Sequence, residues 1–286
     1  MKEFENRYYP LKRAFVSRSE KFHRVKPPFG QKFRFRDSEI TVWHLTLPGT
    51  ARTSGKRILF SSDWHWHDSA RNRKLLEEYS RLAGEFPADI QILGGDQCDD
   101  ADTLDKLPEF LKKIASLAPE TFAVNGNWEA GKRWLNPEYF AGLYASCGIT
   151  LLENRSVISG GFRLTGLPDI SSINFRYLPE MEKVPELTDI LLTHNPDGAV
   201  AADRKGFLRN FSLILCGHTH GGQCRLPLLG ALYIPSFYHR KFDRGIFCRR
   251  GLNLSMLVSS GMGEHRHTRR FNCPPEAVIV EFKKDE

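Results

Sequence analysis

The chain has 286 residues, of which 41% are hydrophobic and 26% are charged, proportions typical of a globular protein with a sizeable core. No apolar run approaches the roughly 18 residues of a membrane-spanning helix, and the polar N-terminus has no signal-peptide core, so we expect a cytoplasmic protein. The formal net charge of +7 favours an anionic partner but does not separate phosphate substrates, nucleic acid and anionic lipid. The six cysteines include no Cys-x-x-Cys pair and predict reduced thiols. No feature indicates an obligate protein partner.

The first part of the chain differs in character from the rest. Residues 1–32 are basic and interrupted by prolines, which predicts an irregular arm or a short docking helix. Alternating apolar residues from Phe33 to Leu47 predict a β-hairpin. We therefore expect residues 1–55 to form an N-terminal arm and hairpin packed on a main domain of residues 56–286.

The main domain begins with alternating strands and helices. Apolar runs predict strands at 57–61, 90–93 and 121–124. Helical spacing of apolar residues predicts helices at 71–86, 103–117 and 137–146. Further strand-like runs lie at 150–152, 157–158, 162–165, 190–193, 213–216, 254–259 and 277–282. This order predicts an α/β (α+β) fold with a central pair of β-sheets flanked by helices.

Two histidines one residue apart follow the apolar run 213–216, in the stretch Gly217-His218-Thr219-His220-Gly221-Gly222. Alternate residues of an extended segment point to the same side, so both imidazoles can face one site, and the glycines allow close backbone approach. An isolated His-x-His is also common on protein surfaces. The other strand ends decide between the two interpretations.

Polar side chains follow several predicted strands. The loops at one edge of a sheet converge in space, so residues far apart in sequence can line one crevice. The candidate ligands are Asp63, His65, Asp96, Asn127, His194, His218 and His220. Carboxylates, imidazoles and an amide oxygen suit Mn, Zn or Fe, and one carboxylate between the others can bridge two ions. Such a pair polarises a phosphoryl group and lowers the pKa of a bridging water, which predicts hydrolysis of a phosphate ester.

The ordered series of motifs resembles the calcineurin-like metallophosphoesterase family over residues 56–282. It consists of Asp63-x-His65, Gly95-Asp96-x-x-Asp99, Gly126-Asn127-Trp128-Glu129, a lone His194 and Gly217-His218-x-His220. Residues 217–223 and 270–276 resemble the YaeI/YkuE-like branch of small bacterial phosphodiesterases. The resemblance implies a four-layer αββα sandwich of two mixed β-sheets flanked by helices.

The resemblance also implies roles for these residues in holding two divalent ions. One ion would be held by Asp63, His65, Asp96 and His220, and the other by Asp96, Asn127, His194 and His218. Asp96 is then the bridge, and Asp96, Asn127 and His218 take part in catalysis by a metal-bridging hydroxide. Asp99 would orient a ligand such as a histidine or stabilise a turn.

The chain departs from the family pattern at Trp128, where the family usually has a histidine that assists the leaving group. An indole cannot transfer protons, so either His67 or the basic segment 265–270 substitutes, or the leaving group departs with little assistance, as from a phosphoanhydride. Glu129 remains without its usual histidine partner. Trp128 could offer an apolar wall, and Gln223 is expected to help shape the substrate pocket.

The segment from Pro227 to Tyr238 is apolar and aromatic and is followed by basic residues. It could contact acyl chains or a membrane surface, which would place the protein peripherally at the membrane, or it could be a hairpin that fills the core. Some members of the family branch that this chain resembles are similar to UDP-2,3-diacylglucosamine pyrophosphatases, so the resemblance implies such an enzyme as one alternative. A nuclease has only the positive charge in its favour, so a nucleic-acid partner is not expected, and a non-catalytic protein of the same fold is the third alternative.

Overall fold

The structure is a computed structural model that describes residues 21–26, 30–99, 101–131, 137–169, 182–265 and 268–284. The strands in this part of the chain are β1 (Phe22–Val25), β2 (Gly30–Arg34), β3 (Thr41–Gly49), β4 (Arg57–Ser61), β5 (Ile90–Leu93), β6 (Glu120–Ala123), β7 (Ile149–Leu151), β8 (Arg155–Ser159), β9 (Phe162–Gly166), β10 (Thr188–Leu192), β11 (Leu213–Cys216), β12 (Arg225–Leu226), β13 (Gly230–Ala231), β14 (Gly245–Arg249), β15 (Ser255–Val258) and β16 (Glu276–Lys284). The helices are α1 (Ala70–Glu85), α2 (Leu107–Ala115), α3 (Asn127–Gly131), α4 (Pro137–Ser146) and α5 (Pro196–Arg204). None of these helices is long and apolar enough to cross a membrane.

Two seven-stranded sheets form the centre of the molecule. The first sheet has the order β2-β3-β16-β4-β5-β6-β7, and the second has the order β1-β14-β15-β11-β10-β9-β8. The strands β4 to β7 run parallel to one another in the first sheet, as do β9, β10, β11 and β15 in the second, and β3 is parallel to β16. Antiparallel strands complete both sheets. The expected pair of mixed sheets is therefore confirmed.

Apolar side chains from both sheets meet in one buried layer, to which Phe60 and Ile92 of the first sheet and Leu215 and Leu257 of the second contribute. The helices α1, α2 and α4 cover the outer face of the first sheet. The helix α5 covers the outer face of the second. These four layers bury the parallel strands on both faces, which explains why every residue of β5 and β11 is buried and why β11 is a continuous apolar run.

Local sequence explains where the long helices begin. The side chain of Ser69 accepts a hydrogen bond from the backbone N–H of Asn72 and caps α1. Asn195 caps α5 in the same way through Asp197 N–H, and Pro196 occupies the first helical position. The sequence did not reveal α5, because eight of its nine residues are buried and it lacks the polar face that produces helical periodicity.

The N-terminal region contains more regular structure than the sequence indicates. The predicted hairpin is present, with β2 antiparallel to β3. Residues 22–25, expected to be irregular, form β1 and pair with β14 in the second sheet. β1 is short and flanked by basic residues, and its pairing partner β14 lies far along the chain. Its local sequence therefore does not indicate a strand. Residues 1–20 lie outside the described residues, and the division at residue 55 stays a prediction.

Packing of β1 gives a test of whether it belongs to the folded core. Phe22 is 1% exposed, and its ring meets that of Phe242 edge to face with centroids 6.0 Å apart. We expect Phe22→Ala to lower the free energy of unfolding by about 3 kcal/mol, because it leaves a cavity. Urea unfolding checks this value. The matched control is Ile158→Ala on the exposed face of β8, expected to stay within about 0.5 kcal/mol of the parent. Equal unfolding midpoints for the parent and Phe22→Ala would show that β1 adds nothing to the core.

Candidate functional site

Five strand ends converge at one edge of the two sheets. The loops after β4, β5 and β6 belong to the first sheet, and those after β10 and β11 belong to the second. Backbone hydrogen bonds continue the strand pairing into these loops, from His65 N–H to the Asp96 carbonyl at 3.0 Å and from Gly217 N–H to the His194 carbonyl at 2.9 Å. The loops are therefore held in register by the same ladders that pair the strands.

All seven candidate ligands from the sequence lie in this crevice, in two groups. In the first, His65 Nε2 lies 3.0 Å from His220 Nε2, and Asp63 Oδ1 lies 3.6 Å from the same atom. Asp63, His65 and His220 place one potential ligand atom each within 4.8 Å of one another.

In the second group, His194 Nε2 lies 3.1 Å from Asp96 Oδ2 and 3.2 Å from both His218 Nδ1 and Asn127 Oδ1. The ligand atoms of Asp96, His194 and His218 also fall within 4.8 Å of one another. Asp96 Oδ2 lies 3.8 Å from His65 Nε2 of the first group. One carboxylate therefore stands between the two groups.

Hydrogen bonds on the far side of the imidazoles determine which nitrogen faces the crevice. His194 Nδ1 donates to the Gly94 carbonyl at 2.7 Å, and His218 Nε2 donates to the Pro235 carbonyl at 2.6 Å. The carboxylate of Asp99 lies 3.5 Å from His65 Nδ1. In each neutral ring the inward nitrogen is then a lone-pair acceptor.

This arrangement fits cations. Two acceptor nitrogens 3.0 to 3.2 Å apart repel each other unless a proton or a cation lies between them, and this occurs in both groups. The facing atoms are imidazole nitrogens and carboxylate oxygens, which are the donors that borderline divalent ions prefer. Asp63, His65 and His194 are completely buried, so a shell of water cannot take the place of a cation between these side chains.

The electrostatic field of the crevice is negative where the second group lies. Burial lowers the pKa of His194, but the Asp96 carboxylate outweighs it and raises this pKa to about 10. Burial raises the pKa of Asp96, but the His194 imidazolium outweighs it and holds this pKa at about 2. A buried carboxylate that stays ionised attracts a positive charge to this position.

The backbone of the site is strained. Asp63, His65, Asp96, His218 and His220 have φ angles between +41° and +70°, in the left-handed region that residues with a Cβ rarely occupy. Such conformations cost about 1 to 3 kcal/mol each and persist only where the surroundings enforce them. Their concentration on five of the seven candidate ligands is a structural sign of a functional site.

Glycine is required where these loops touch. A Cβ on Gly95, whose φ is +92°, would lie 2.6 Å from His194 Nδ1. A Cβ on Gly217 would overlap the carboxylate of Asp63. The glycines of the Gly-Asp and Gly-His motifs therefore allow ligand-bearing loops from the two sheets to come into contact.

Glu129 acts on the loop that carries Asp96. Its buried carboxylate accepts backbone hydrogen bonds from Asp96 at 3.0 Å, from Gln97 at 2.6 Å and from Gly126 at 2.8 Å. Burial and the nearby Asp96 raise the pKa of Glu129 to about 7. Glu129 thus ties the β5 loop to the turn that begins α3, and it positions Asp96 and Asn127.

Trp128 lies at the mouth of the crevice. Its backbone N–H donates to Asp96 Oδ1 at 2.9 Å, and its indole meets the ring of His65 edge to face, with centroids 6.0 Å apart. The ring of His265 lies next to it, with centroids 5.4 Å from Trp128 and 5.9 Å from His65. His265 therefore lies beside the position where the family pattern has a histidine.

The remaining sequence candidates have structural contacts. His67 Nδ1 donates to the carbonyl of His65 at 3.0 Å. Gln223 Oε1 accepts from His265 N–H at 3.1 Å, and Gln223 Nε2 donates to the Thr268 carbonyl. Gln223 thus holds the segment that carries His265, and its expected role in shaping the substrate pocket stays a prediction.

Arg270 shapes the loop after β15. Its guanidinium donates to the carbonyls of Ser260 at 2.7 Å, Gly261 at 3.0 Å and Gly263 at 2.8 Å. Gly263 N–H in turn donates to the Asp63 carbonyl at 2.8 Å. Sequence reasoning identified residues 265–270 as a basic segment that could substitute for the missing family histidine. It missed the Gly94 and Pro235 carbonyls entirely, because any residue type supplies a carbonyl.

Comparisons with known proteins agree with this geometry. A family model described as calcineurin-like phosphoesterase matches residues 56–222. Phosphodiesterase YaeI of Escherichia coli (strain K12) is 30% identical over 236 residues, which cover 79% of this chain and 82% of that protein. The uncharacterized metallophosphoesterase YkuE of Bacillus subtilis (strain 168) is 27% identical over 237 residues, which cover 80% and 79%.

A solved structure shows the same fold. The crystal structure of a dimetal phosphatase from Danio rerio superposes with a TM-score of 0.50 at 9% identity, over 73% of this chain and 88% of that one. The family model spans more than half of the residues, and the relative at 30% identity spans most of both chains. This chain therefore belongs to the calcineurin-like phosphoesterase family and is a metal-dependent phosphoester hydrolase.

Proposed function

We propose that the protein hydrolyses a phosphodiester or a phosphoanhydride with the help of two divalent ions, Mn, Zn or Fe. The observation that carries this proposal is the position of Asp96, whose Oδ2 lies 3.1 Å from His194 in one group and 3.8 Å from His65 in the other. A carboxylate shared by two ligand groups is the arrangement that a pair of ions requires.

The residues divide into two sets around Asp96. Asp63, His65 and His220 would hold one ion with Asp96, and Asn127, His194 and His218 would hold the other with Asp96. When bound, the two ions supply the Lewis acidity that polarises a phosphoryl oxygen and activates water. The substrate of such a centre carries a phosphate, in agreement with the name of the relative YaeI.

The surrounding residues hold these ligands in place before any substrate arrives. Asp99 and the Gly94 and Pro235 carbonyls orient three imidazoles, and Glu129 fixes the Asp96 loop. Contacts of this kind usually raise metal affinity about 10- to 100-fold. Preorganised ligands also lower the reorganisation needed at the transition state.

We propose that His265 serves the leaving-group side in place of the missing family histidine. Its ring lies beside Trp128 and His65, and Gln223 fixes its backbone. His67 is the weaker candidate, because its Nδ1 is bound to a carbonyl and its side chain lies on the exposed side of the loop. Trp128 then forms an apolar wall of the crevice.

The alternatives differ in substrate. The lipid-linked anhydride UDP-2,3-diacylglucosamine stays a possible substrate, and a nuclease keeps only the positive charge in its favour. A panel of UDP-diacylglucosamine, cyclic nucleotides, glycerophosphodiesters and single-stranded DNA separates them. Turnover of a soluble diester with no action on UDP-diacylglucosamine would remove the lipid-linked substrate.

Substitution of the shared carboxylate tests the proposed centre. We expect Asp96→Asn to lower kcat/KM for bis-p-nitrophenyl phosphate at least about a hundredfold and to reduce bound metal, because it removes the charge between the two groups. Metal content by mass spectrometry and hydrolysis with Mn, Zn and Fe are measured together. The matched control, Asp37→Asn, lies on an exposed turn and leaves both quantities unchanged. A parent protein without bound metal and without turnover would refute the proposal.

The pH dependence of Mn binding follows from the pKa of His194. This pKa is about 10 in the metal-free protein, so His194 is protonated at pH 7, and an ion must displace that proton. Asp96, with a pKa of about 2, releases none. Below the His194 pKa, apparent affinity should therefore rise by up to about tenfold per pH unit.

Isothermal titration calorimetry in buffers of different ionisation enthalpy measures the number of protons released on binding. Repeating it between pH 6.5 and 8.5 covers roughly two pH units, which is enough to detect a tenfold change in affinity per unit. We expect His194→Ala to abolish this proton release. A pH-independent affinity in the parent protein would contradict the assigned role of His194.

A leaving-group series tests His265. We expect His265→Ala to lower kcat/KM about a hundredfold for an alkyl glycerophosphodiester but less than about threefold for bis-p-nitrophenyl phosphate, because p-nitrophenolate departs without assistance. His67→Ala is the matched control and should affect both substrates alike. An equal loss on both substrates with His265→Ala would show that His265 only shapes the site.

A further inference from the structure

Large apolar side chains are exposed mainly in one place. Eight large hydrophobic side chains are exposed in the described part of the chain, and six of them lie in the β12–β13 hairpin and the segments next to it. These six side chains form what we call the apolar tip: Leu226, Leu228, Leu229, Leu232, Tyr233 and Phe271. Contiguous exposed apolar residues usually mark an interaction surface.

The apolar tip is one surface, because its segments are hydrogen-bonded to each other. Arg225 and Leu226 of β12 pair with β13. Arg225 N–H donates to the Phe271 carbonyl at 2.9 Å, which brings Phe271 alongside the base of the hairpin. Leu228 and Leu229 form the turn, and Leu228 is completely exposed.

The hairpin cannot fold back to bury these side chains, because its base is anchored. Ala231 and Ile234 are buried against Gly222. Asp197 accepts hydrogen bonds from Ser236 Oγ at 2.7 Å and from Phe237 N–H at 2.8 Å. The expected alternative of a hairpin that fills the core therefore applies to the base alone, and the leucines of the turn point away from the core.

Basic side chains border the apolar tip. Arg240 is exposed, and its Nη1 donates to the Leu229 carbonyl at 3.1 Å. Arg269 precedes Phe271 by two residues and has a side chain that is 83% exposed, 3.8 Å from Glu264. The border of the tip is therefore positively charged.

We propose that the apolar tip inserts into the surface of an anionic lipid bilayer, with Arg240 and Arg269 on the phospholipid head groups. Leucine, tyrosine and phenylalanine side chains on one exposed surface, next to arginines, match the apolar and anionic layers of a membrane interface. A protein groove would satisfy the leucines but would not require the positive border. This docking goes beyond the proposed hydrolysis and does not depend on it.

Docking at this surface would bring the crevice to the membrane. Pro235 lies two residues beyond Tyr233, and its carbonyl accepts from His218 Nε2 at 2.6 Å. The hairpin base also packs on Gly222, in the loop that carries His218 and His220. The ligand loop and the tip therefore share one rigid connection, and a membrane-bound protein acts on phosphates presented at the bilayer surface.

Vesicle co-sedimentation tests the proposal with the full chain. We expect the parent protein to bind vesicles of phosphatidylcholine mixed with phosphatidylglycerol at least about tenfold more tightly than vesicles of phosphatidylcholine alone, with binding that weakens in high salt. Leu228→Ser combined with Leu229→Ser should lower this binding at least about tenfold, because it removes the inserting side chains. Arg240→Gln combined with Arg269→Gln should remove the preference for anionic vesicles.

Two controls keep the result interpretable. Ile158→Ser makes the same kind of apolar-to-polar change at an exposed position on β8 and should leave vesicle binding unchanged. Hydrolysis of bis-p-nitrophenyl phosphate by the Leu228→Ser, Leu229→Ser variant should match the parent, so that loss of docking is distinguished from loss of the proposed activity.

Three outcomes would overturn the proposal. The first is a parent protein that binds neither kind of vesicle. The second is a double leucine variant that binds as well as the parent. The third is a parent dimer in solution that the leucine substitutions convert to a monomer, as measured by light scattering, since the tip would then be a contact between two copies of this chain.

Discussion

The carboxylate of Asp96 is buried between two pairs of imidazoles, and the groups around it offset the free-energy cost of burying its charge. A charged oxygen without water is stable only with hydrogen bonds and opposite charge, and Asp96 obtains both from Trp128 N–H and His194. Glu129 holds the loop that carries Asp96 through three backbone N–H groups. The position of one carboxylate therefore determines how the loops after β5, β6 and β10 meet.

The four-layer fold provides the rigidity that this arrangement needs. Five candidate ligands occupy left-handed backbone conformations, which a flexible loop would relax. Here the strand ladders extend into the loops, and apolar layers on both faces of each sheet leave little room for adjustment. The stability of the core thus maintains the strain at the site, and the exposed hairpin beside it is anchored through the same loop by the Pro235 carbonyl.

Sequence reasoning predicted the ligands because their positions follow from local rules. Apolar runs identified the strands, and polar residues directly after several of them pointed to one edge of the sheets. The order of the motifs then indicated the family, which the comparisons confirm. The roles of the seven residues as ligands stay a prediction, although the structure brings them all together. Helix α5 and the strands β1 and β14 escaped prediction, because none of them carries a clear periodicity of its own.

The sequence by itself determined the identity and order of the candidate ligand residues, the central strands and the family, because these follow from short motifs and local apolar patterns. Only the tertiary structure decided which groups orient the ligands, that His265 lies beside Trp128, and that the leucines of the β12–β13 turn face outward. Each of these depends on segments that lie far apart along the chain, and two of the orienting groups are backbone carbonyls. The physical reason is that residues of every type have a backbone carbonyl and that exposure is a property of the folded surface. Neither therefore leaves a local pattern in the sequence.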